Sequence, residues 1–150
     1  MPRRSTQLRG AAGEYYAAAE LSRREWAASV TPKNAPGTDI VAHDSQTGKL
    51  VAVQVKTATG NSPFRLSRKH EQPTTSAPLW FVLVRIPDDD GAPPDFYVVP
   101  AVVVSAYVYV RHWVRSARAT ERAGSPRGQH DMRQIEPDDI AGYRDRWDLL

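Results

Sequence analysis

The sequence predicts a single mixed α/β (α+β) domain, and three observations carry that expectation. Its 150 residues suit one hydrophobic core. Two Val-rich runs, LVAVQVKT (50–57) and LWFVLVRI (79–86), have the length and β-branched content of strands buried on both faces. The stretch 10–28, GAAGEYYAAAELSRREWAA, is rich in Ala, Leu, Glu and Arg, contains no Pro, and reads as a helix.

The remaining elements follow in chain order. Residues 1–9 are polar and basic and are expected to form a flexible N-terminus, with the single domain spanning 10–150. A short strand at 29–31 is closed by Pro32 and the PKNAPG turn. TDIVAHD (38–44) reads as a strand, and Ser45-Gln46-Thr47-Gly48 turns it back into 50–57. The stretch 57–78 is loop-rich and is expected to carry little regular structure. PDDDGAPPD (87–95) is a polar hairpin-like loop leading into a strand, FYVVP (96–100). Residues 101–122 contain β-branched residues, yet Val103, Ala106, Val110, Trp113 and Ala117 follow helical spacing, and so long a strand would be unusual. A helix is expected there, then a loop at 124–129, a strand at Met132–Ile135 and a short helix from Pro137. Trp80 and Trp113 are expected in the core.

Composition removes whole classes of function. With 41% hydrophobic and 25% charged residues the chain is an ordinary globular one, not collagen-like or mainly disordered. No apolar run approaches the roughly 20 residues of a membrane-spanning helix. The absence of cysteine excludes disulfide scaffolds, thiolate zinc sites and cysteine nucleophiles. His43, His70, His112 and His130 have no metal-ligand spacing, and no organic cofactor is indicated. The N-terminal MPRRSTQLRG is basic but has no apolar h-region, so a cytoplasmic location is expected. Lys plus Arg number 20 against 17 Asp plus Glu, a net charge of +3, so any attraction to nucleic acid depends on distribution.

The informative signal is polar chemistry where a core should be apolar. On the first helix, at 100° per residue, Glu14 lies within about 60° of Ala17, Ala18 and Leu21, inside the apolar stripe. A carboxylate there needs pairing, protonation or a cation. Glu20 lies about 120° away, with Arg24 one turn on, and reads as a surface residue. In the strand at 50–57, Ala52, Gln54 and Lys56 share one face and Val51, Val53 and Val55 the other, with Gln54 and Lys56 about 7 Å apart. Asp39 opens the preceding strand after Pro36-Gly37-Thr38. Singly, each has a bland reading: Asp39 as a turn residue, Gln54 as a satisfied amide, Lys56 snorkelling to water. Together, Asp39, the Gln54 amide oxygen and the Val55 backbone carbonyl are hard oxygen donors suited to Mg²⁺. Lys56 would then orient water or stabilise charge on a phosphate, and Glu14 would bind the ion through water or hold a second one.

Asp39, fourteen intervening residues and Gln54-Val55-Lys56 resemble the PD-(D/E)XK nuclease motif in its Q-x-K variant. That variant is similar to the form in Mrr-like restriction endonucleases. Arg9-Gly10-Ala11-Ala12-Gly13-Glu14, running into Ala18-Ala19-Glu20-Leu21, resembles the K-G-x-x-x-E opening of archaeal Holliday-junction resolvases. The likeness covers roughly residues 9–57 by motif and extends to about 110 by element order; FYVVP before a helix and the closing Tyr143-Arg144-Asp145-Arg146-Trp147-Asp148 also resemble small members of this superfamily. The resemblance implies a restriction-endonuclease-like core (αβββαβ), a central mixed sheet flanked by helices. It implies metal ligands at Asp39 and Gln54, a catalytic lysine at Lys56, a helical glutamate at Glu14, and DNA cleavage with Mg²⁺ or Mn²⁺. Many active members carry Glu or Asp at the Gln54 position. A neutral amide binds metal more weakly, so the alternative is a degenerate site on a DNA- or protein-binding module.

Two basic groups are candidates for contact with the DNA backbone. Arg111, Arg115, Arg118 and Arg122 fall at i, i+4, i+7 and i+11, one face of the expected helix. Arg65, Arg68 and Lys69 follow the catalytic strand closely enough to meet a phosphate. A solvated helix face and an exposed loop are the plain alternatives. Cutting two strands calls for two sites, which is compatible with a homodimer.

Overall fold

A computed structural model describes residues 5–33, 36–72, 79–123 and 131–150 of the chain. The first helix, α1 (Thr6–Ser22), starts earlier and stops earlier than its composition suggests. The Ser5 hydroxyl accepts from the Leu8 N–H and caps the first turn. The helix ends at Arg23, and Glu25 turns the chain through a left-handed φ of 64°. Trp26 is thereby delivered into β1 (Trp26–Val30), where Trp26 and Ala28 alternate inward onto the core. Tertiary burial of Trp26 overrides the helical composition of residues 23–28.

β2 (Ile40–Asp44) and β3 (Leu50–Thr59) continue the meander, each pair antiparallel. Gly48, at φ 74°, closes the turn between them by donating its N–H to the Asp44 carbonyl. β5 (Leu79–Ile86) lies parallel to β3, and β6 (Asp95–Pro100) pairs antiparallel with β5. The sheet order is β1-β2-β3-β5-β6.

The expectation of little regular structure over 57–78 is corrected. β3 runs on to Thr59, and β4 (Phe64–Ser67) and a 3-10 turn (Arg68–Glu71) follow. β4 pairs with β7 (Met132–Ile135), a partner far along the chain, burying Phe64 and Leu66. Among the described residues, the crossover from β3 to β5 holds these elements in place of an α-helix. The second helix, α2 (Ala101–Ala123), follows β6. The expected helix after Pro137 is a 3-10 segment, Pro137–Tyr143, and the loop expected at 124–129 lies outside the described residues.

The two faces of the sheet carry two cores. α1 supplies Ala17 and Leu21 to a face built from Ile40, Ala42, Val51, Val53, Val55, Val82 and Val84, closed by Phe96 and Trp147. The opposite face joins Phe81, Leu83 and Val99 to Val104 and Val108 of α2 and to Phe64 and Ile135 of the small sheet. Burying each such Val, Leu or Phe contributes roughly 1.5–3 kcal/mol. This buried set corrects the stripe expected on α2. Ala101, Val104, Ser105 and Val108 face inward, while Val110 and Trp113 are exposed, the latter at 39%. Trp80, half-buried, packs on the α1 side. No helix of the described residues is long and apolar enough to cross a membrane.

Candidate active site

Thr31, just past β1, and two residues of β3 hold Asp39 in place. Gly37, at φ 75°, makes the turn before it. The Asp39 N–H donates to the Val53 carbonyl at 2.9 Å, and its carbonyl accepts from the Thr31 N–H at 2.8 Å. Its carboxylate Oδ2 accepts the Val55 N–H at 2.7 Å. The β2–β3 ladder ends with Ile40 opposite Val53, and Asp39, just before it, bonds the residues on either side of Gln54. The sequence placed Gln54 and Lys56 on one face of β3, and the two cores agree: Val51, Val53 and Val55 all belong to the α1 side.

Glu14 reaches this region because α1 packs unusually close to β3. Gly13 is buried, and a Cβ built on it would lie 2.0 Å from Thr57 Oγ1. Only a glycine allows that approach. Burial, and then the negative charge of Asp39, hold the Glu14 carboxyl above its ordinary pKa, against a smaller opposing pull from Lys33. One turn earlier on α1, Arg9 donates to Thr59 Oγ1 at 3.0 Å and ties the helix to the end of β3.

Burial pulls Lys56 below the usual lysine range, Asp39 opposes that, and Lys69 adds to it. Glu14, Asp39 and Lys56 therefore form one electrostatically coupled group. Gln54 is 7% exposed and makes no side-chain hydrogen bond among the described residues. Its amide atoms keep contact with solvent and are open to a ligand.

The donor chemistry suits a hard cation. Glu14 makes no hydrogen bond among the described residues, and Asp39 spends one carboxylate oxygen on Val55. Among the described residues no three His, Cys, Asp or Glu side chains gather as a metal cage. Two carboxylates with amide and carbonyl oxygens instead match an ion that keeps several of its waters.

The basic candidates separate. Arg65 is exposed on β4, and Arg68 and Lys69 are exposed on the 3-10 turn, where Lys69 comes within electrostatic reach of Lys56. Arg115 and Arg118 are exposed on α2. Arg111 is half-buried and engaged, bonding Asp139 and, at 3.3 Å, Glu136. It ties α2 to the Pro137–Tyr143 segment.

Two features of this region escaped the sequence motif. His70 is 8% exposed and packs edge-on against Phe81. Its Nδ1 accepts the Ser67 N–H at 3.0 Å, while its Nε2 is buried without a partner. Burial first, and then Lys56, push its pKa down to about 4. The Arg133 side chain, 2% exposed, pairs at 2.6 Å with Glu71, 11% exposed, and so anchors the turn carrying Lys69 and His70 to β7.

No family model matches the sequence, and no curated protein matches it significantly. Solved structures do. A Holliday junction resolvase from the archaeal hyperthermophile Archaeoglobus fulgidus superposes with a TM-score of 0.52 at 18% identity, covering 88% of this chain and 87% of that one. A bacterial homing endonuclease superposes with a TM-score of 0.56 at 18% identity, covering 98% of this chain and 91% of that one. The chain therefore has the restriction-endonuclease-like fold, a central mixed sheet flanked by helices, that the PD-(D/E)XK resemblance implied.

Proposed function

We propose that this chain is a cytoplasmic, metal-dependent endodeoxyribonuclease that hydrolyses phosphodiester bonds in DNA. The observation that carries the reading is the carboxylate of Asp39, fixed beside Gln54 and coupled to Glu14 and Lys56. Asp39, Gln54, the Val55 carbonyl and Glu14 would hold Mg²⁺ or Mn²⁺. Such an ion supplies Lewis-acid charge and lowers the pKa of bound water. Lys56 orients the attacking water and offers positive charge to the phosphorane as it forms. Water oxygen bonds to phosphorus in line and gives up a proton to solvent, the P–O bond opposite breaks, and the leaving oxygen takes a proton from solvent. Arg65, Arg68, Lys69, Arg115 and Arg118 contact the DNA backbone, which adds affinity without sequence information. Arg111, which the sequence grouped with them, is spent on Asp139 and Glu136 and braces α2. A homodimer would supply two such sites for two strands.

A cleavage assay tests this reading. Linear duplex, supercoiled plasmid, single strand and a four-way junction are incubated with Mg²⁺, with Mn²⁺ and with EDTA. Cutting with either metal and none in EDTA is expected, and the preferred substrate names the subclass. No cutting of any substrate would move the reading to the degenerate binding module, which the neutral Gln54 favours.

A further inference from the structure

A cleft of about 420 Å³ opens beside the coupled carboxylates, between the turn before Asp39, the 3-10 turn and the start of α2. Its wall includes Gln54, Lys69, His70, Phe81, Ala101 and Ser105. Three of these are polar side chains more than nine-tenths buried: Gln54 at 7% exposure, His70 at 8% and Ser105 at 6%. His70 Nε2 is buried with no hydrogen-bond partner among the described residues, and neither Gln54 nor Ser105 spends its side chain on another group there. A buried ring nitrogen left unpartnered in the wall of a cleft is uncommon and points to a missing ligand.

The charge pattern selects the ligand. The His70 ring can be read for its proton. Nδ1 lies 3.0 Å from the Ser67 N, 3.1 Å from its Oγ and 3.2 Å from its carbonyl oxygen; of these only the N–H carries a fixed hydrogen aimed at the ring, which assigns the neutral ring's proton to Nε2. His70 thus presents an unpartnered N–H donor. Ser105 offers a hydroxyl, Lys69 a cation, and Ala101 is the first residue of the 23-residue helix α2, whose free N–H groups and dipole favour an anion. Among the described residues no carboxylate lines the cleft. Donors and a cation without acidic neighbours suit a phosphate oxyanion.

We propose that this cleft is a phosphate-binding subsite, in which His70 Nε2–H, Ser105 and Lys69 hold a backbone phosphate next to the one being cut. It rests on the nuclease reading and deepens it, making His70 a positioning residue for the substrate strand. The depressed pKa keeps the ring neutral, so the donor persists at neutral pH without a proton being taken up.

The probe is inorganic phosphate in EDTA, titrated against chloride at matched ionic strength and followed by the ¹⁵N shifts of the His70 ring. A saturable shift at Nε2 is expected. His70→Asn places an oxygen where Nδ1 accepts the Ser67 N–H, preserving the turn while removing the distal donor. It should weaken phosphate about ten- to hundredfold, as should Ser105→Ala, the size of one hydrogen bond to a charged group. In cleavage, His70→Asn should raise KM for DNA more than it lowers kcat. An unshifted His70 ring, or variants binding phosphate as wild type does, would overturn the subsite. Phosphate binding retained in Asp39→Ala supports it independently of catalysis. Phosphate binding by a wild type that cuts nothing sinks the nuclease reading and leaves the subsite standing. Cleavage with no response of His70 to phosphate sinks the subsite alone.

Discussion

Replacing Gly13 by alanine sets two effects of opposite sign against each other. A glycine inside a helix is about 1 kcal/mol worse than alanine, so propensity alone makes Gly13→Ala stabilising. The packing says otherwise. The new Cβ would lie 2.0 Å from Thr57 Oγ1, 3.1 Å from Thr57 Cβ and 3.2 Å from Thr57 Cγ2. Rotating Thr57 about χ1 moves Oγ1 and Cγ2 together, but Cβ stays fixed at 3.1 Å. α1 must therefore back away from β3, loosening the packing of Ala17 and Leu21 as it goes. Overpacking of this kind costs about 1–3 kcal/mol, and its upper end applies where helix backbone must shift. The net loss should be about 2 kcal/mol, or roughly 4–8 °C in Tm for a domain of this size. Thermal unfolding of the four members of a cycle with Thr57→Ala reads it directly. Thr57→Ala removes Oγ1 and Cγ2 and leaves only Cβ at 3.1 Å, so Gly13→Ala should cost markedly less in that background. A Tm that rises in Gly13→Ala alone would refute the close approach of α1, and with it the placement of Glu14 near Asp39.

Further expectations follow from the same geometry. The Glu14 pKa is raised, so this group's contribution to stability is full below its unfolded value and is lost as pH rises through the folded value. At neutral pH its ionised form is therefore a burden; Glu14→Gln should melt higher than wild type in EDTA, whereas a Tm equal to or below wild type would contradict the coupling. Mg²⁺ at a hundredfold excess over its Kd should stabilise wild type by about 2.7 kcal/mol, and Glu14→Gln and Asp39→Ala by less. Stripping the metal with EDTA should return wild type to its original Tm. For His70, depressed to about 4 from 6.5, the sign is reversed: its contribution is full above pH 6.5 and lost as pH falls towards 4. A urea midpoint that falls across that window in wild type should fall less in His70→Asn. Arg133→Ala leaves Glu71 buried and unpaired and should cost about 3–5 kcal/mol by urea unfolding. A loss within about 1 kcal/mol would mean that solvent screens the pair.

The parts of the fold legible in the sequence are those with a strong local pattern. The alternation in Val51–Lys56 put Gln54 and Lys56 on one face and three valines on the other, and the two cores follow it. Glu14 was legible through its place beside Ala17 and Leu21, which are fully buried. What failed depended on distant partners. Trp26 looks helical beside Arg23 and Arg24, yet its side chain is claimed by the core of the sheet. β4 is only four residues long, and its partner β7 lies beyond α2. The apolar residues of α2 exceed what one face can bury. The stripe through Val110 and Trp113 competes with the one through Val104 and Val108, and only the sheet decides between them. His70 carries no motif. Its setting is assembled by the 3-10 turn, β5 and the first turn of α2, with the Arg133–Glu71 pair spanning 62 residues to hold the turn.

The most direct test of the site compares cleavage by wild type, Asp39→Ala, Lys56→Ala and Gln54→Glu in Mg²⁺ and Mn²⁺, with Tm recorded for each. Lys49→Ala, on the exposed turn into β3, serves as the control. Metal-dependent cutting by wild type and the control, abolished in Asp39→Ala and Lys56→Ala at unchanged folding, is the predicted result. Gln54→Glu, which adds a charge to the site, should cut at lower metal concentration than wild type. Cutting that survives in Asp39→Ala and Lys56→Ala would contradict the assignment of this site as the catalytic one.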